Sequence, residues 1–436
     1  MDTLDLYHAL YQFLGSLASI PLLGYWTIKG RFGTRWSDRL GFTVAGGKNP
    51  LWIHAVSVGE TGSAIAVIKE LNTLKPGLNY VLSVSTPLGL SYAKDALKKE
   101  GLENVGLLAP PIDVWGAPSR ALKRIDPLAL IIIETELWPG LIYKCQKMEI
   151  PVLIAAGRIS QRSLSRYKLV KHIFGELLKK IDLIAATTKE DRQRFIDLGA
   201  SPERVLSLGN PKFDKLIALS QNSTYTPSSL TAPFLVIAGS THPGEEEIIL
   251  QALIKLRLHR ALSKEPVDKG RIKLILVPRH IGRAPEILQL ALKNGFKAKI
   301  LSDPNFDRDE LPEVSVVNVL GRLMEFYAKA DLALVGGSFV SGQGHNPLEP
   351  AALGRAVVIG PNMSSFSEQA RFLMDNLGCK MVLPVNLNSV LQHFLDIPSV
   401  ARNFGYNGRK AISSLKPAAP AISKKIVETL TEKGKL

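Results

Sequence analysis

Asp331-Leu-Ala-Leu-Val-Gly-Gly-Ser-Phe-Val-Ser-Gly-Gln-Gly-His-Asn-Pro-Leu-Glu-Pro-Ala351 decides the fold. Leu332 to Val335 form a short apolar run that ends in glycines, which predicts a buried strand feeding a turn. Gly336, Gly337, Gly342 and Gly344 let backbone approach a ligand closely, and Asn346-Pro347 predicts a helix start with proline in its first turn. A helix start offers free N–H groups to a phosphate or a sugar ring. Glu349 falls in the first turn, where a carboxylate can accept from a sugar hydroxyl. A glycine-rich turn in any α/β protein shares part of this pattern. The density of polar residues in Gly344-His-Asn-Pro-Leu-Glu-Pro-Ala351 favours a nucleotide-sugar site.

Working outward, apolar runs alternate with helical patterns. Leu51-Trp-Ile-His-Ala-Val56, Tyr80-Val-Leu-Ser-Val84, Ala129-Leu-Ile-Ile-Ile133, Val152-Leu-Ile-Ala155 and Leu183-Ile-Ala-Ala186 are each followed by a segment able to form a helix. Repeated βα units predict a parallel sheet. The turn-rich stretch Ser220 to Pro233 reads as a linker, after which the pattern restarts at Phe234, Ile272, Ser315, Leu332 and Ala356. At 436 residues the chain exceeds one ordinary core. Two open α/β domains are expected, with the site in a cleft between them, beyond the carboxyl ends of their strands. The expected organisation is an N-terminal segment 1–30, a first domain 31–219, a linker 220–233, a second domain 234–412 and a terminal helix 413–436.

The net charge of +15 predicts an anionic partner. The basic residues are dispersed and carry no nucleic-acid-binding signature, so no nucleic acid is expected. Only Cys145 and Cys379 are present, with neither disulfide-framework nor zinc spacing, which fits a reducing cytosol. Ala9 to Ile28 carries no charged side chain; Tyr25 and Trp26 lie where it meets Lys29, Arg31, Arg35 and Arg39. That pattern resembles a membrane anchor with a positive cytoplasmic flank, but Gly15, Pro21 and Gly24 leave a shallow interfacial helix or a buried first helix open.

Several motifs follow predicted strands. In His54-Ala-Val-Ser-Val-Gly-Glu-Thr-Gly62, Glu60 stands at a helix start, placed either to accept a proton from an attacking hydroxyl or merely to complement the helix dipole. Glu134 and Glu136, in Ile133-Glu-Thr-Glu-Leu-Trp-Pro139, are expected to share one face of a continuing strand, positioning acceptor hydroxyls, assisting the base or capping the next helix. Arg158 begins a basic series with Arg162, Arg166, Lys168 and Lys171 that reads as an anion contact, a solvated helix face or an anionic-lipid surface. Lys212, in Gly209-Asn-Pro-Lys-Phe-Asp214, is another acceptor-side candidate. In the second domain, Ser240 and Thr241 open a helix, and Arg279 and His280 follow the next strand; with Gly337, Ser338, Asn346 and Glu349 they form the candidate donor set. No HxH, DxD or acidic cluster has metal-ligand spacing, so neither metal nor cofactor is expected.

Together, His54 to Glu60, Glu134 to Pro139, Gly209 to Asp214, and Gly336 to Ser338 with His345 to Ala351 resemble the bacterial 3-deoxy-D-manno-octulosonic acid (Kdo) transferases of lipopolysaccharide assembly. The resemblance runs from Arg31 to about Gly378 and extends to the apolar N-terminus. It implies a GT-B fold with a membrane-associating helix at the inner membrane's cytoplasmic face, CMP-Kdo as donor, a lipid A precursor as acceptor, and an inverting, metal-independent transfer. Glu60 would be the general base and Glu136, with Glu134, the second essential acid. Two departures are Ser341-Gly342-Gln343-Gly344, where adjacent glycines are expected, and Pro211, where an aliphatic residue is expected. The competing readings are another GT-B glycosyltransferase or an epimerase using a UDP-sugar, and a membrane-bound scaffold with an inert site.

Overall fold

In the computed structural model, which describes residues 3–28, 35–222, 232–262, 272–340 and 342–436, the apolar runs form two sheets of seven strands. The first contains β1 (Leu51–Ala55), β2 (Tyr80–Val84), β3 (Val105–Leu108), β4 (Ala129–Ile133), β5 (Val152–Gly157), β6 (Leu183–Ala186) and β7 (Val205–Ser207), in the order β3-β2-β1-β4-β5-β6-β7. Every pairing in it is parallel, and Trp52 and His54 of β1 lie opposite Leu130 and Ile132 of β4. The second contains β8 (Phe234–Thr241), β9 (Ile272–Pro278), β10 (Ala298–Leu301), β11 (Val314–Val317), β12 (Leu332–Val335), β13 (Ala356–Ile359) and β14 (Cys379–Met381), ordered β10-β11-β9-β8-β12-β13-β14 and also parallel throughout. The central strands are predominantly apolar because helices cover both faces of such a sheet. This is the GT-B architecture of two Rossmann-like α/β domains.

In each sheet the chain's winding reverses next to its first strand, at β1/β4 and at β8/β12. The carboxyl ends of those strands are where open α/β sheets bind ligands. The short outer strands β3, β7, β10 and β14 were not anticipated.

The chain divides into one unit of Met1–Asp214 with Pro417–Leu436 and a second of Lys215–Lys416. The expected boundaries differ from this division. Residues 220–222 end the helix Asp214–Asn222, while 223–231 of the expected linker lie outside the described residues. The helix Pro398–Ser413 closes the second unit, and the helix Ala418–Glu432 belongs to the first. Asp214 fastens that return: its carboxylate accepts from the N–H groups of Ala418 (2.8 Å) and Ala419 (2.7 Å). Ile422, Ile426 and Leu430 then join the buried cluster around β1, and Ser423 donates to the carbonyl of Val67.

At the N-terminus Thr3–Ile28 is helical. One side is fastened to the first unit: Leu4 is buried, His8 stacks on Tyr143 at 3.8 Å, Tyr143 donates to Asp5 (2.6 Å), and Tyr11 and Gln12 both donate to Asp113 (2.8 Å each). Leu6, Leu10, Phe13, Leu14 and Leu17 recur at helical spacing and are all exposed. Among the described residues no helix is long and apolar enough to cross a membrane. The side chains from Ile20 to Ile28, Tyr25 and Trp26 included, and residues 29–34 lie outside the described set.

Candidate active site

Glu60 stands in the first turn of the helix Val58–Leu74, directly beyond β1. Ser57 caps this helix, its hydroxyl accepting from the N–H of Glu60 (3.3 Å) while donating to Glu60 Oε1 (2.8 Å); the N–H of Val56 donates to Oε2 (2.7 Å). Glu60 therefore does complement the helix start, and its carboxylate is still able to accept a proton, because each oxygen keeps a further lone pair. Burial raises the pKa of Glu60 above its ordinary value; the two hydrogen bonds oppose that shift and the carboxylates of Glu134 and Glu136 add to it. A carboxylate poised upward in this way is suited to act as a general base.

The expectation that Glu134 continues β4 is corrected. The strand ends at Ile133, and Glu134 takes a left-handed conformation (φ 60°), so strand alternation does not place Glu134 and Glu136 on one face. Backbone of this kind is costly for a residue with a Cβ and gathers at functional sites. Glu134 forms an ion pair with Lys212, whose ammonium would lie 3.3 Å from a Cβ placed on Gly59. Lys212 therefore neutralises Glu134 beside the start of the Glu60 helix. Asn210 orders that approach by accepting from the N–H of Lys212.

Glu136 accepts from the indole N–H of Trp138 (3.1 Å), and burial raises its pKa. Trp138 also meets the ring of His54 edge-on, with centroids 4.7 Å apart. His54 is fully buried; its Nδ1 pairs with the hydroxyl of Ser83, which also accepts from Trp52 Nε1. Burial pushes His54 down to about 4. It is thus a neutral support beside Trp138.

Behind this loop lies Asp113, to which sequence reasoning gave no role. Its carboxylate accepts from the first free N–H groups of the helix Pro139–Lys147, at Gly140 (2.7 Å) and Leu141 (2.6 Å), as well as from Tyr11. A carboxylate at a helix start satisfies orphan donors and complements the dipole. Arg158 is exposed at the end of β5, and Arg166, Lys168 and Lys171 are exposed on the helices that follow; the side chain of Arg162 lies outside the described residues.

In the second unit the expected donor residues gather beyond β8, β9 and β12, but their roles divide. Ser240 is left-handed (φ 57°) at a bulge where β8 slips register against β9. Thr241 is buried and donates to Glu246, which also pairs with Arg283. The Ser338 hydroxyl is buried too, donating to the carbonyl of Val335 and accepting from the N–H of Gly360. Both hydroxyls thus have partners within the protein. The amides of the glycine loop are also occupied: fully buried Glu245 accepts from the N–H groups of Gly337 (2.6 Å), Ser338 (3.0 Å), Phe339 (2.8 Å) and His242 (2.9 Å). Glu245 lies in the helix-opening motif beside Ser240, and only its place in an acidic first turn hinted at this role.

Arg279 and His280 are exposed at the end of β9. Gly337, left-handed at φ 69°, leaves room for His345, whose Cδ2 would lie 3.2 Å from a Cβ at that position. Asn346 accepts from the N–H of Leu348 (3.1 Å) and donates to Glu349 at 3.5 Å, with Pro347 before the short helix Leu348–Ala352. Burial raises Glu349, opposed by Asn346 and Arg279. Ser341 lies outside the described residues. Among the described residues no group of three or more His, Cys, Asp or Glu is arranged to hold a metal ion.

Acids at a β1/β4 switch point and a glycine-bound loop at a β8/β12 switch point define a two-domain, GT-B-type protein. Residues 34–215 match the family model described as 3-deoxy-D-manno-octulosonic-acid transferase (kdotransferase). A 3-deoxy-D-manno-octulosonic acid transferase of Haemophilus influenzae is 34% identical over 364 residues, covering 82% of this chain and 81% of that protein. One from Aquifex aeolicus is 33% identical over 326 residues, covering 75% and 80%. Among solved structures, a UDP-N-acetylglucosamine 2-epimerase superposes with a TM-score of 0.55 at 16% identity, over 89% of this chain and 97% of that one, a likeness of fold alone. The chain belongs to the Kdo transferase family.

Proposed function

We propose that the protein transfers Kdo from CMP-Kdo to a lipid A precursor, with inversion at the anomeric carbon and without a metal. The observation that carries this reading is the position of Glu60: a buried carboxylate with a raised pKa, beyond β1 at the switch point, in a chain of this family. Glu60 takes the proton of the acceptor hydroxyl as its oxygen bonds to the anomeric carbon. The bond from that carbon to the phosphate oxygen breaks, and CMP leaves with the electron pair. Glu136 and the Glu134–Lys212 pair border the acceptor hydroxyl, and Arg279 meets the charge that develops on the departing phosphate.

The protein works at the cytoplasmic face of the inner membrane, lying on it through the exposed stripe Leu6, Leu10, Phe13, Leu14 and Leu17. The basic residues from Arg158 to Lys171 favour an anionic lipid surface and the phosphates of the acceptor.

The test is CMP release from CMP-Kdo with a tetraacyl lipid A precursor, in EDTA, for the intact protein and Glu60→Gln. Acceptor-dependent release that resists EDTA and collapses in the variant supports the proposal. Release from a UDP-sugar alone, or full activity in Glu60→Gln, overturns it.

A further inference from the structure

His242 and His345 lie in two loop motifs and have no part in the transfer described above. The structure brings them together across 103 positions of sequence, from the end of β8 and from the loop after β12. Their Nε2 atoms are 2.9 Å apart, with ring centroids 5.1 Å apart and planes inclined by 23°. A hydrogen bond between two imidazole nitrogens holds one proton: one ring donates and the lone pair of the other accepts. Two N–H groups cannot occupy that line.

The surroundings favour an anion. From the end of β9, Arg279 acts on His345, and the His280 ring lies 6.5 Å from that of His242. On the acidic side, Glu245 is turned to four backbone amides, one of them His242's own, and Glu349 stands at the start of Leu348–Ala352. Burial, His242 and Arg279 hold His345 down at about 4, so its ring is neutral at pH 7. Both histidines are only half-buried and are reachable by a ligand.

We propose that His242 and His345 form a one-proton dyad that receives the phosphate of the cytidine nucleotide and takes up a second proton as that phosphate binds. This rests on the reading of the second unit as the CMP side. The incoming proton comes from solvent, the bond between the rings opens, and each Nε2–H turns to a phosphate oxygen. When CMP dissociates the proton returns to solvent. The dyad would thus hold the leaving phosphate with one neutral and one cationic donor, the positive charge being present only while the phosphate is bound.

Calorimetric titration of the full chain with CMP at pH 7, in two buffers of different ionisation enthalpy, counts the protons directly and needs no variant. The expected result is uptake of about half to one proton per CMP, with affinity falling up to about tenfold from pH 6.5 to 7.5, where the phosphate of CMP is already mostly dianionic. His242→Asn and His345→Asn, each folded by circular dichroism, should bind CMP more weakly at pH 6.5 and lose the pH dependence. CMP binding with no proton uptake, or uptake unchanged in both variants, overturns the dyad while leaving the donor reading intact. Failure of the intact protein to bind CMP at all overturns the donor reading and the dyad with it.

Discussion

Replacing Glu245 with glutamine should loosen the glycine loop and the backbone at His242 while leaving Glu60, Glu134, Glu136 and Lys212 untouched. Glu245 has no solvent exposure, and its two oxygens take four backbone N–H groups, two each. In Glu245→Gln one oxygen remains and the amide nitrogen points hydrogens at two N–H donors. Each lost charge-assisted bond costs about 1.5–3 kcal/mol, offset by the cheaper burial of a neutral group. A net local cost of about 3 kcal/mol is expected, or about 150-fold in the opening equilibrium of the loop. Hydrogen exchange read by mass spectrometry on peptides covering 336–342 measures that opening without requiring two-state unfolding of a two-unit chain. Glu247→Gln, on an exposed neighbour in the same first turn, is the control. If the amides of Gly337, Ser338 and Phe339 exchange no faster in Glu245→Gln than in the parent protein, the carboxylate does not hold the loop and the reasoning fails.

Because burial raises Glu60 and a base must be ionised, kcat/KM should climb through an acid limb whose midpoint lies above the ordinary carboxylate value of 4.5; a limb at or below that value would contradict the raised pKa. His54 stays neutral when folded but takes a proton below about 6.5 when unfolded, so stability should fall by up to about 3 kcal/mol as pH drops from 6.5 to about 4, and His54→Asn should flatten that slope in urea titrations. Gly140→Ala would set a Cβ 2.4 Å from the carbonyl oxygen of Asp113; the expected loss is about 1–3 kcal/mol, read as a drop in melting temperature, and an unchanged melting temperature would mean that the contact relaxes freely. Leu10→Glu with Phe13→Glu should weaken binding to anionic vesicles by at least about 100-fold at unchanged helicity, since each large apolar side chain contributes about 1.5–3 kcal/mol on burial; unchanged vesicle binding would remove the N-terminal helix as the contact.

The central strands were legible because their apolar runs are continuous and are punctuated by glycine-bearing loops. The short edge strands escaped because four-residue segments such as Ala298–Leu301, with Lys299 in the middle, carry too little pattern to stand out from a helix or loop. Glu60, Glu134, Glu136 and Lys212 were each marked by position after a strand or within a motif, and the structure gathers them within one unit. Their pairings were not legible: only the left-handed turn at Glu134 directs its carboxylate to Lys212, and φ is not written in a glutamate codon. The partners of the Thr241 and Ser338 hydroxyls were not legible either, because polar side chains beside a glycine loop look alike whether they serve a ligand or the protein's own backbone. Both are buried and hydrogen-bonded within the protein. Asp113 and Glu245 went unassigned for a related reason, since most of their partners are backbone amides, which leave no residue-specific trace in sequence.

The return of Ala418–Glu432 to the helix that carries Glu60 sets an order on the protein's birth. Between Asp214 and Pro417 the ribosome must make all of the second unit, and only afterwards does the segment emerge that covers Val58–Leu74. The first unit is thus begun first and finished last. A nascent chain halted anywhere in the second unit carries Glu60 on a helix with one side still bare, so the helix bearing the proposed base is fully packed only in molecules that have also made the unit proposed to hold the nucleotide.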